Sequence, residues 1–426
     1  MTPGEAPLAA VRSALLGLPA GPLGVAVSGG SDSLALTLLL HALCPETGHG
    51  LAAVTVDHGL RPESAGEAAE VGRICRDRGI PHAVLRWSDR DGRGNLQARA
   101  RSARRALIAG WAAERGIAAV ALGHTLDDQA ETFLMRLARG SGVDGLAAMA
   151  PRTNSEGICW LRPLLGTSRA ALRDWLAAQG MPWAEDPGNA DLRFDRIRAR
   201  AAMEQLAPLG LGAERLAATA AAMARARLAL EVAAGDLARA AVEPGPAGDA
   251  LIDIAALRSG TEELQLRVLA GVLAWVSGAI YRPRFASLAA ARAALLHGRI
   301  GQGITLQGCV LRPRSGGRVA VRREPARAAP PVPLATRVWD RRWRIEAVLP
   351  GADVVVGALG PEGLYRCPEW RAGGEARETL LTTPALWRRG ELVAAPLLRP
   401  DPRVRASFVP ALTPPWEARS DVESGR

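Results

Sequence analysis

Lysine is missing from this chain: every one of its 53 basic side chains is an arginine. A Walker A loop is thereby excluded, because its lysine grips the terminal phosphates of a nucleotide. A protein kinase of the usual type, a pyridoxal-phosphate Schiff base and a lysine aldolase fall with it. Cysteine is sparse and scattered, at Cys44, Cys75, Cys159, Cys309 and Cys367, with no CxxC pair. That pattern argues against a disulfide framework, a zinc finger and a cysteine-ligated cluster. Long apolar runs are also lacking. The uncharged stretch Val268–Tyr281 falls short of the roughly 18–20 residues that a membrane span requires. No basic segment leads into an apolar run near residue 1, so a secretory signal is not expected. The expectation is a cytoplasmic protein without a membrane partner, its 426 residues enough for two or three domains.

Acidic residues number only 43, leaving a formal net charge of +10. The deficit is local. Residues 1–210 carry 23 arginines and 22 acids, whereas residues 211–426 carry 30 and 21. Arg299–Arg344 holds 11 arginines against Glu324 and Asp340, with Trp339 and Trp343 interleaved. Guanidinium forks grip phosphates and indoles stack on bases, so this stretch reads as a nucleic-acid surface. A solvated linker is the alternative.

The first 140 residues alternate strand-like and helical patterns. Strands are expected at Leu23–Val27, Leu51–Val56, His82–Trp87 and Ala118–Leu122. Helices are expected at Asp32–Leu43, Glu63–Arg78, Leu96–Glu114 and Leu126–Ala138. Repeated βα units of this length predict an α/β fold with a Rossmann-like parallel sheet covered on both faces. Such sheets place ligands beyond the carboxyl ends of their strands, and the polar segments Ser28–Ser33, Asp57–Arg61 and Gly123–Asp128 lie there. The sequence divides at about residue 210. Residues 211–325 read as mainly helical, opening with an alanine-rich helix over about Ala213–Val242. A hairpin of Ile304–Leu311 and Arg318–Arg322 turns through Ser315-Gly-Gly. Prolines at 325, 330, 331 and 333 read as a linker, and residues 326–426 as that linker with a small β-rich domain.

The strand ending in Val25-Ala-Val runs into Ser28-Gly29-Gly30-Ser31-Asp32-Ser33 and then a helix. Gly29 and Gly30 let successive N–H groups face one concavity. Ser28, Ser31 and Ser33 add hydroxyl donors, and the helix presents its positive end. This is an anion cradle that needs no lysine. Asp32 fits such a cradle if a cation sits there too, as Mg²⁺ does on phosphate oxygens.

The whole string resembles the pyrophosphate loop (PP-loop) of the N-type ATP pyrophosphatases. Val56-Asp-His-Gly-Leu-Arg, Leu122-Gly-His-Thr-Leu-Asp-Asp-Gln-Ala-Glu-Thr, Arg139-Gly-Ser-Gly, Arg162-Pro-Leu-Leu and Glu185-Asp-Pro-Gly-Asn-Ala-Asp-Leu-Arg-Phe-Asp-Arg follow in order. Together they are similar to the motifs of the tRNA(Ile)-lysidine synthetases. One departure is that Asp195-Arg continues Ile-Arg-Ala-Arg, where that family usually has an asparagine after the arginine. The resemblance implies a PP-loop ATPase domain followed by tRNA-binding domains, with ATP and Mg²⁺ as cofactors. It implies tRNA(Ile) with a CAU anticodon and free L-lysine as substrates. ATP would adenylate O2 of the wobble cytidine, and the amine of lysine would displace AMP at C2. The oligomeric state stays open, a homodimer being one option.

Asp128 and Glu131 stand three apart at a helix start, so their carboxylates share one face. They suit the ammonium of lysine or Mg²⁺, and Asp127 and Asp128 also complement a helix N-terminus. Arg101, Arg104 and Arg105 form a basic helical face. Arg104 and Arg196 match the family's site arginines by the resemblance. His58 and His124 lie at strand ends, where nucleotide contact and turn-stabilising hydrogen bonds are both open. The site expected is thus Asp32, Arg104, Asp128, Glu131 and Arg196 as catalytic groups. Ser28–Ser33, His58 and His124 would bind the nucleotide, with Asp32 on the metal. Competing readings are a tRNA thiolase of the same superfamily, a small-molecule amidating ligase of the same fold and a non-catalytic RNA-binding protein. The first needs reactive cysteines, and Cys44, Cys75 and Cys159 lie in none of the motifs.

Overall fold

A computed structural model describes residues 5–57, 64–87, 96–184, 193, 195–349 and 353–409 (of 96–98, the backbone only). The chain folds as two compact units, Met1–Arg227 and Leu228–Arg426. In the first unit, α1 (Glu5–Leu15), β1 (Gly21–Ala26), α2 (Ser31–Thr47) and β2 (His49–Asp57) are followed by α3 (Ser64–Arg76) and β3 (His82–Arg86). Then come α4 (Leu96–Glu114), β4 (Ala119–Leu122), α5 (Leu126–Leu137) and α6 (Val143–Leu146). The unit continues with β5 (Arg152–Ser155), β6 (Ile158–Leu161), α7 (Arg169–Ala178) and α8 (Asp195–Leu206), and the unit boundary falls within α9 (Ala213–Ala241).

The strands form one sheet in the order β3-β2-β1-β4-β6-β5. Pairing is parallel from β3 to β6, and β5 closes the edge antiparallel to β6. β1 is central, with Leu23 and Val25 fully buried, as a strand covered on both faces requires. One face packs Leu34, Leu39 and Leu43 of α2 against Leu23 and Val25. The other packs Ile108, Trp111 and Ala112 of α4 against Val54 and Val120. The chain leaves β1 toward β2 and β3, then returns to β4 on the other side. The carboxyl ends of β1 and β4 therefore flank a switch point, where open α/β sheets bind ligands. The hairpin of β5 and β6 extends the sheet past the four strands expected.

In the second unit, β7 (Val242–Pro244), β8 (Ala250–Asp253), α10 (Ile254–Arg258), α11 (Glu262–Ser277) and α12 (Phe285–Leu296) precede β9 (Ile304–Leu306), β10 (Cys309–Arg314) and β11 (Arg318–Arg323). These strands form a sheet in the order β7-β8-β11-β10-β9, with Leu269, Val272 and Leu273 of α11 against Ile252, Leu311 and Val321. The strand expected over Ile304–Leu311 is broken. Gln307-Gly308 turns the chain, and β9 folds back antiparallel onto β10. Beyond them lie β12 (Val332–Pro333), β13 (Val338–Trp339), β14 (Trp343–Ala347), β15 (Val354–Ala358), α13 (Gly360–Tyr365), α14 (Arg377–Leu380), β16 (Pro384–Arg388), β17 (Glu391–Ala394) and β18 (Val404–Phe408). They build two small antiparallel sheets. The proline-rich stretch read as a linker contributes β12, paired with Val355 and Val356 at a sheet edge, where proline's missing N–H costs nothing.

The tryptophans expected to stack on bases do not reach solvent. Trp339 and Trp343 are 1% and 2% exposed, and Trp343 packs on Phe408 at 4.3 Å between ring centroids. Arg342 is wholly buried with them. The basic stretch is thus partly internal. Arg323 and Arg342 share Asp340 at 2.8 and 3.1 Å, and Arg322 pairs with Glu378 at 3.4 Å. Arg299, Arg314, Arg327, Arg337, Arg341 and Arg344 remain exposed and without an ion pair among the described residues.

Candidate active site

The loop after β1 behaves as its composition demands. Gly29 takes φ +90°, a value that penalises any side chain. The Ser33 hydroxyl accepts from the Ser28 N–H at 3.1 Å, lies 3.1 Å from the Ser28 hydroxyl and donates to the Gly30 carbonyl. Gly30 caps α2 with no side-chain hydrogen bond, so the first-turn N–H groups stay available to an anion. The loop after β4 presses against this turn. A Cβ on Gly123 would stand 2.9 Å from the Ser33 backbone, so only glycine allows the approach.

α5 starts beside this cradle, and its motif residues have separable duties. Thr125 and Asp128 form a reciprocal capping box, with the Thr125 N–H donating to Asp128 Oδ2 at 2.9 Å. Asp127 accepts from the backbone N–H of Arg169 at 2.7 Å, tying α7 to α5. Gln129 makes two hydrogen bonds with the Met149 backbone. Glu131 points inward, wholly buried.

Three arginines meet these carboxylates. Arg169 donates to Asp32 at 2.9 Å and also faces Asp128 at 3.5 Å and Glu131 at 3.8 Å. Arg196 lies 3.8 Å from Asp128 and 3.3 Å from Glu131. Arg200 donates twice to Glu131, at 2.8 and 3.0 Å. The i, i+4 spacing on α8 puts Arg196 and Arg200 on one face toward α5. Each buried carboxylate is thereby compensated, which such burial requires.

The two α5 carboxyls are driven apart. Burial works to raise Asp128, but Arg196, the Thr125 N–H, His124 and Arg169 prevail and hold it below its ordinary value. Burial dominates at Glu131 and pushes it up, against the pull of Arg200. Burial, with help from Arg196, Arg162 and Arg101, pushes His124 down to about 4, and its Nδ1 is buried without a hydrogen-bond partner. His124 is therefore neutral at pH 7. Its unfolded value is near ~6.5, so it costs no stability above that pH. Below it the unfolded chain binds the extra proton, and stability falls until pH 4 is reached. His124→Gln should flatten that acid limb by up to about 3 kcal/mol, read as urea midpoints at pH 7 and pH 4.5. Parallel pH profiles for the two proteins would show that His124 does not titrate this way.

The fold thus brings together Asp32, Asp128, Glu131 and Arg196 beside Ser28–Ser33 and His124. Arg104 stands apart: it lies exposed on α4, with no ion pair among the described residues. Its neighbour Arg101 is the α4 arginine in electrostatic range of Asp128 and Arg196. Arg105 is tied to Glu156 at 3.0 Å and lies over Trp160. His58 and the Glu185–Leu192 part of the last motif lie outside the described residues. Arg169 and Arg200 were not picked out from sequence. Arg200 sits one helical turn after Arg196, a spacing that carries the signal; Arg169 follows the Ser168 cap of α7 and carries none. Cys44 and Cys75 are buried thiols pushed up to about 11, far from the thiolate a sulfur carrier needs.

The PP-loop domain family matches residues 10–207. A tRNA(Ile)-lysidine synthase of Ruegeria pomeroyi is 46% identical over 395 residues, 91% of each chain. One of a Methylobacterium species is 43% identical over 72% of this chain and 90% of its own. One of Mesorhizobium japonicum is 40% identical over 80% and 76%. A switch-point cradle of glycine and serine with no lysine defines a PP-loop protein. More narrowly, the chain belongs to the tRNA(Ile)-lysidine synthase family. No described helix is long and apolar enough to cross a membrane.

Proposed function

We propose that this protein joins L-lysine to C2 of the wobble cytidine in tRNA(Ile) bearing a CAU anticodon, using ATP. The observation that carries the reading is the uncapped start of α2 facing an arginine-compensated carboxylate cluster across the switch point. Cytosine O2 bonds to the α-phosphorus of ATP, the α–β bridge breaks and pyrophosphate leaves. The amine nitrogen of lysine, having shed a proton to water, bonds to C2; the C2–O2 bond breaks and AMP departs with that oxygen. The product pairs with A, so AUA is read in place of AUG.

Each part of the site has work in this scheme. Ser28–Ser33 and the α2 N-terminus cradle the phosphates, and Arg196 balances their charge during transfer. Asp128, kept anionic, receives an ammonium by exchanging it for Arg169 or Arg196, while Glu131 holds Arg196 and Arg200 in place. A single carboxylate beside a phosphate cradle suits Mg²⁺, which is commonly bound by one or two carboxylates plus phosphate oxygens. Asp32 would be that ligand, and the ion would neutralise phosphate charge. Residues 1–210 are the catalytic domain in this reading, and residues 211–325 and 326–426 engage the tRNA.

Radiolabelled lysine should enter the CAU-anticodon isoleucine transcript in an ATP-dependent manner, with elongator methionine tRNA as control. Absence of label with both transcripts, or equal label in both, would count against the assignment.

A further inference from the structure

Aromatic rings are few in this chain, which has two tyrosines and four phenylalanines. In the second unit Trp275, Trp339 and Trp343 are buried, and Phe408 packs on Trp275 and Trp343. Between α11 and α12 the pattern reverses. Ile280, Tyr281 and Phe285 are 73%, 82% and 70% exposed within six residues. Burying such a side chain is worth roughly 1.5–3 kcal/mol, so three of them clustered in water mark a surface that a partner covers.

The chemistry around them selects the partner. The segment reads Ile280-Tyr-Arg-Pro-Arg-Phe285, with arginines between the apolar groups. Tyr281, Arg282, Arg284 and Arg341 line one cleft of about 350 Å³ that carries no acidic residue. It adjoins a larger cleft of about 880 Å³ through Gln307 and Arg341, where Arg323 and Arg327 line the wall together with Glu324 and Asp340. The tip is held in shape: the Gln307 amide donates to the Tyr281 carbonyl, and the Ala279 N–H donates to the Ser277 hydroxyl at 3.2 Å.

Arg341 supplies a second, independent observation. It takes φ +57° directly after Asp340 at φ +50°, a conformation uncommon for arginine. Buried Asp340, clasped by Arg323 and Arg342, fixes that turn. The network thus aims an exposed arginine into the Tyr281 cleft at a conformational cost.

Resting on the tRNA reading above, we propose that Ile280–Phe285 and Arg341 form a platform for unpaired nucleotides of the tRNA. The rings of Tyr281 and Phe285 stack on bases, and Arg284 and Arg341 meet the adjoining phosphates. Rings stack only on bases whose faces are free, and a paired stem offers none. The smaller cleft, with Arg282, Arg284 and Arg341 and no acid, suits a polyanion better than a protein face of mixed charge.

The test uses the full chain with the double variant Tyr281→Ala/Phe285→Ala, the single Tyr281→Phe, intact tRNA and a blunt RNA duplex. Stacking is worth about 1–3 kcal/mol per base, so the double variant should bind tRNA at least about tenfold more weakly. The salt slope should stay unchanged, since no charge is removed. Tyr281→Phe should keep wild-type affinity, and the duplex should bind all three proteins alike. Both rings are exposed, so the thermal midpoint should hold. Unchanged tRNA affinity in the double variant overturns the proposal. So does an equal loss on the duplex, or loss of a wild-type dimer in sedimentation with tRNA binding intact. If wild-type protein incorporates lysine while the double variant binds tRNA normally, this proposal fails and the catalytic reading stands.

Discussion

Asp32→Ala should abolish pyrophosphate release while leaving tRNA affinity nearly unchanged. Asp32 is the second residue of α2, at the edge of the anion cradle, and is the acid among Ser28–Ser33. Removing one preorganised electrostatic group from such a site costs roughly 10²–10³ in rate. Losing the carboxylate that pairs with Arg169, and to which the proposed function assigns a cation, should reach at least that range. Arg169 retains Asp128 and Glu131, so the fold should survive. Long-range attraction for tRNA is expected from residues 211–426, with 30 arginines to 21 acids, because residues 1–210 are almost neutral. Pyrophosphate release from ATP in the presence of tRNA and lysine, beside filter binding of tRNA, measures both quantities. An equal loss of chemistry and binding would sink this division of labour.

Arg342→Gln should unfold the second unit more readily, by about 3–5 kcal/mol, whereas Arg341→Gln and Arg344→Gln should stay within about 0.5 kcal/mol of wild type. The three arginines are nearly adjacent in sequence, but their surroundings differ. Arg342 is wholly buried, pairs with Asp340, and reaches the Gly248 and Thr382 carbonyls at 3.3 and 3.4 Å. It joins three distant segments of the second unit. Its loss leaves Asp340 with Arg323 as its one cation beside the Ala329 N–H, and two carbonyls without that donor, which is costly in a dry interior. Arg341 and Arg344 face solvent, and each should instead lower the salt slope of tRNA binding by up to about 0.7. Denaturant midpoints for the three single variants separate the cases. A midpoint for Arg342→Gln equal to that of Arg341→Gln would show that the buried guanidinium holds nothing together.

How far the sequence reaches depends on the range of the interactions involved. The cradle at Ser28–Ser33 is legible because it is built within six residues. Glycines permit the backbone, serines supply donors and the next helix supplies its dipole. The βα alternation is legible for the same reason, each period being set by one strand or one helix. Asp128 and Glu131 share a face by helical spacing alone. What those carboxylates touch is another matter. Arg169 and Arg200 come from α7 and α8, some 40 to 70 positions downstream; only the helical spacing from Arg196 singles out Arg200, and no local pattern distinguishes Arg169 from the chain's other arginines. A composition that uses arginine for every positive charge hides the few that close an ion pair.

The same limit explains the misread basic stretch. Charge counting treats Arg341, Arg342 and Arg344 as equals, and alternation with Trp339 and Trp343 suggests a stacking surface. Those five residues by themselves therefore determined that the region is strongly basic and aromatic. Only the tertiary structure decided which side chains face water. Asp340 on the intervening turn, Phe408 on β18 and the Gly248 and Thr382 carbonyls converge on Trp343 and Arg342 and exclude solvent from them. Burial belongs to neighbours brought from far along the chain, whereas a turn or a helix face belongs to the residues that form it.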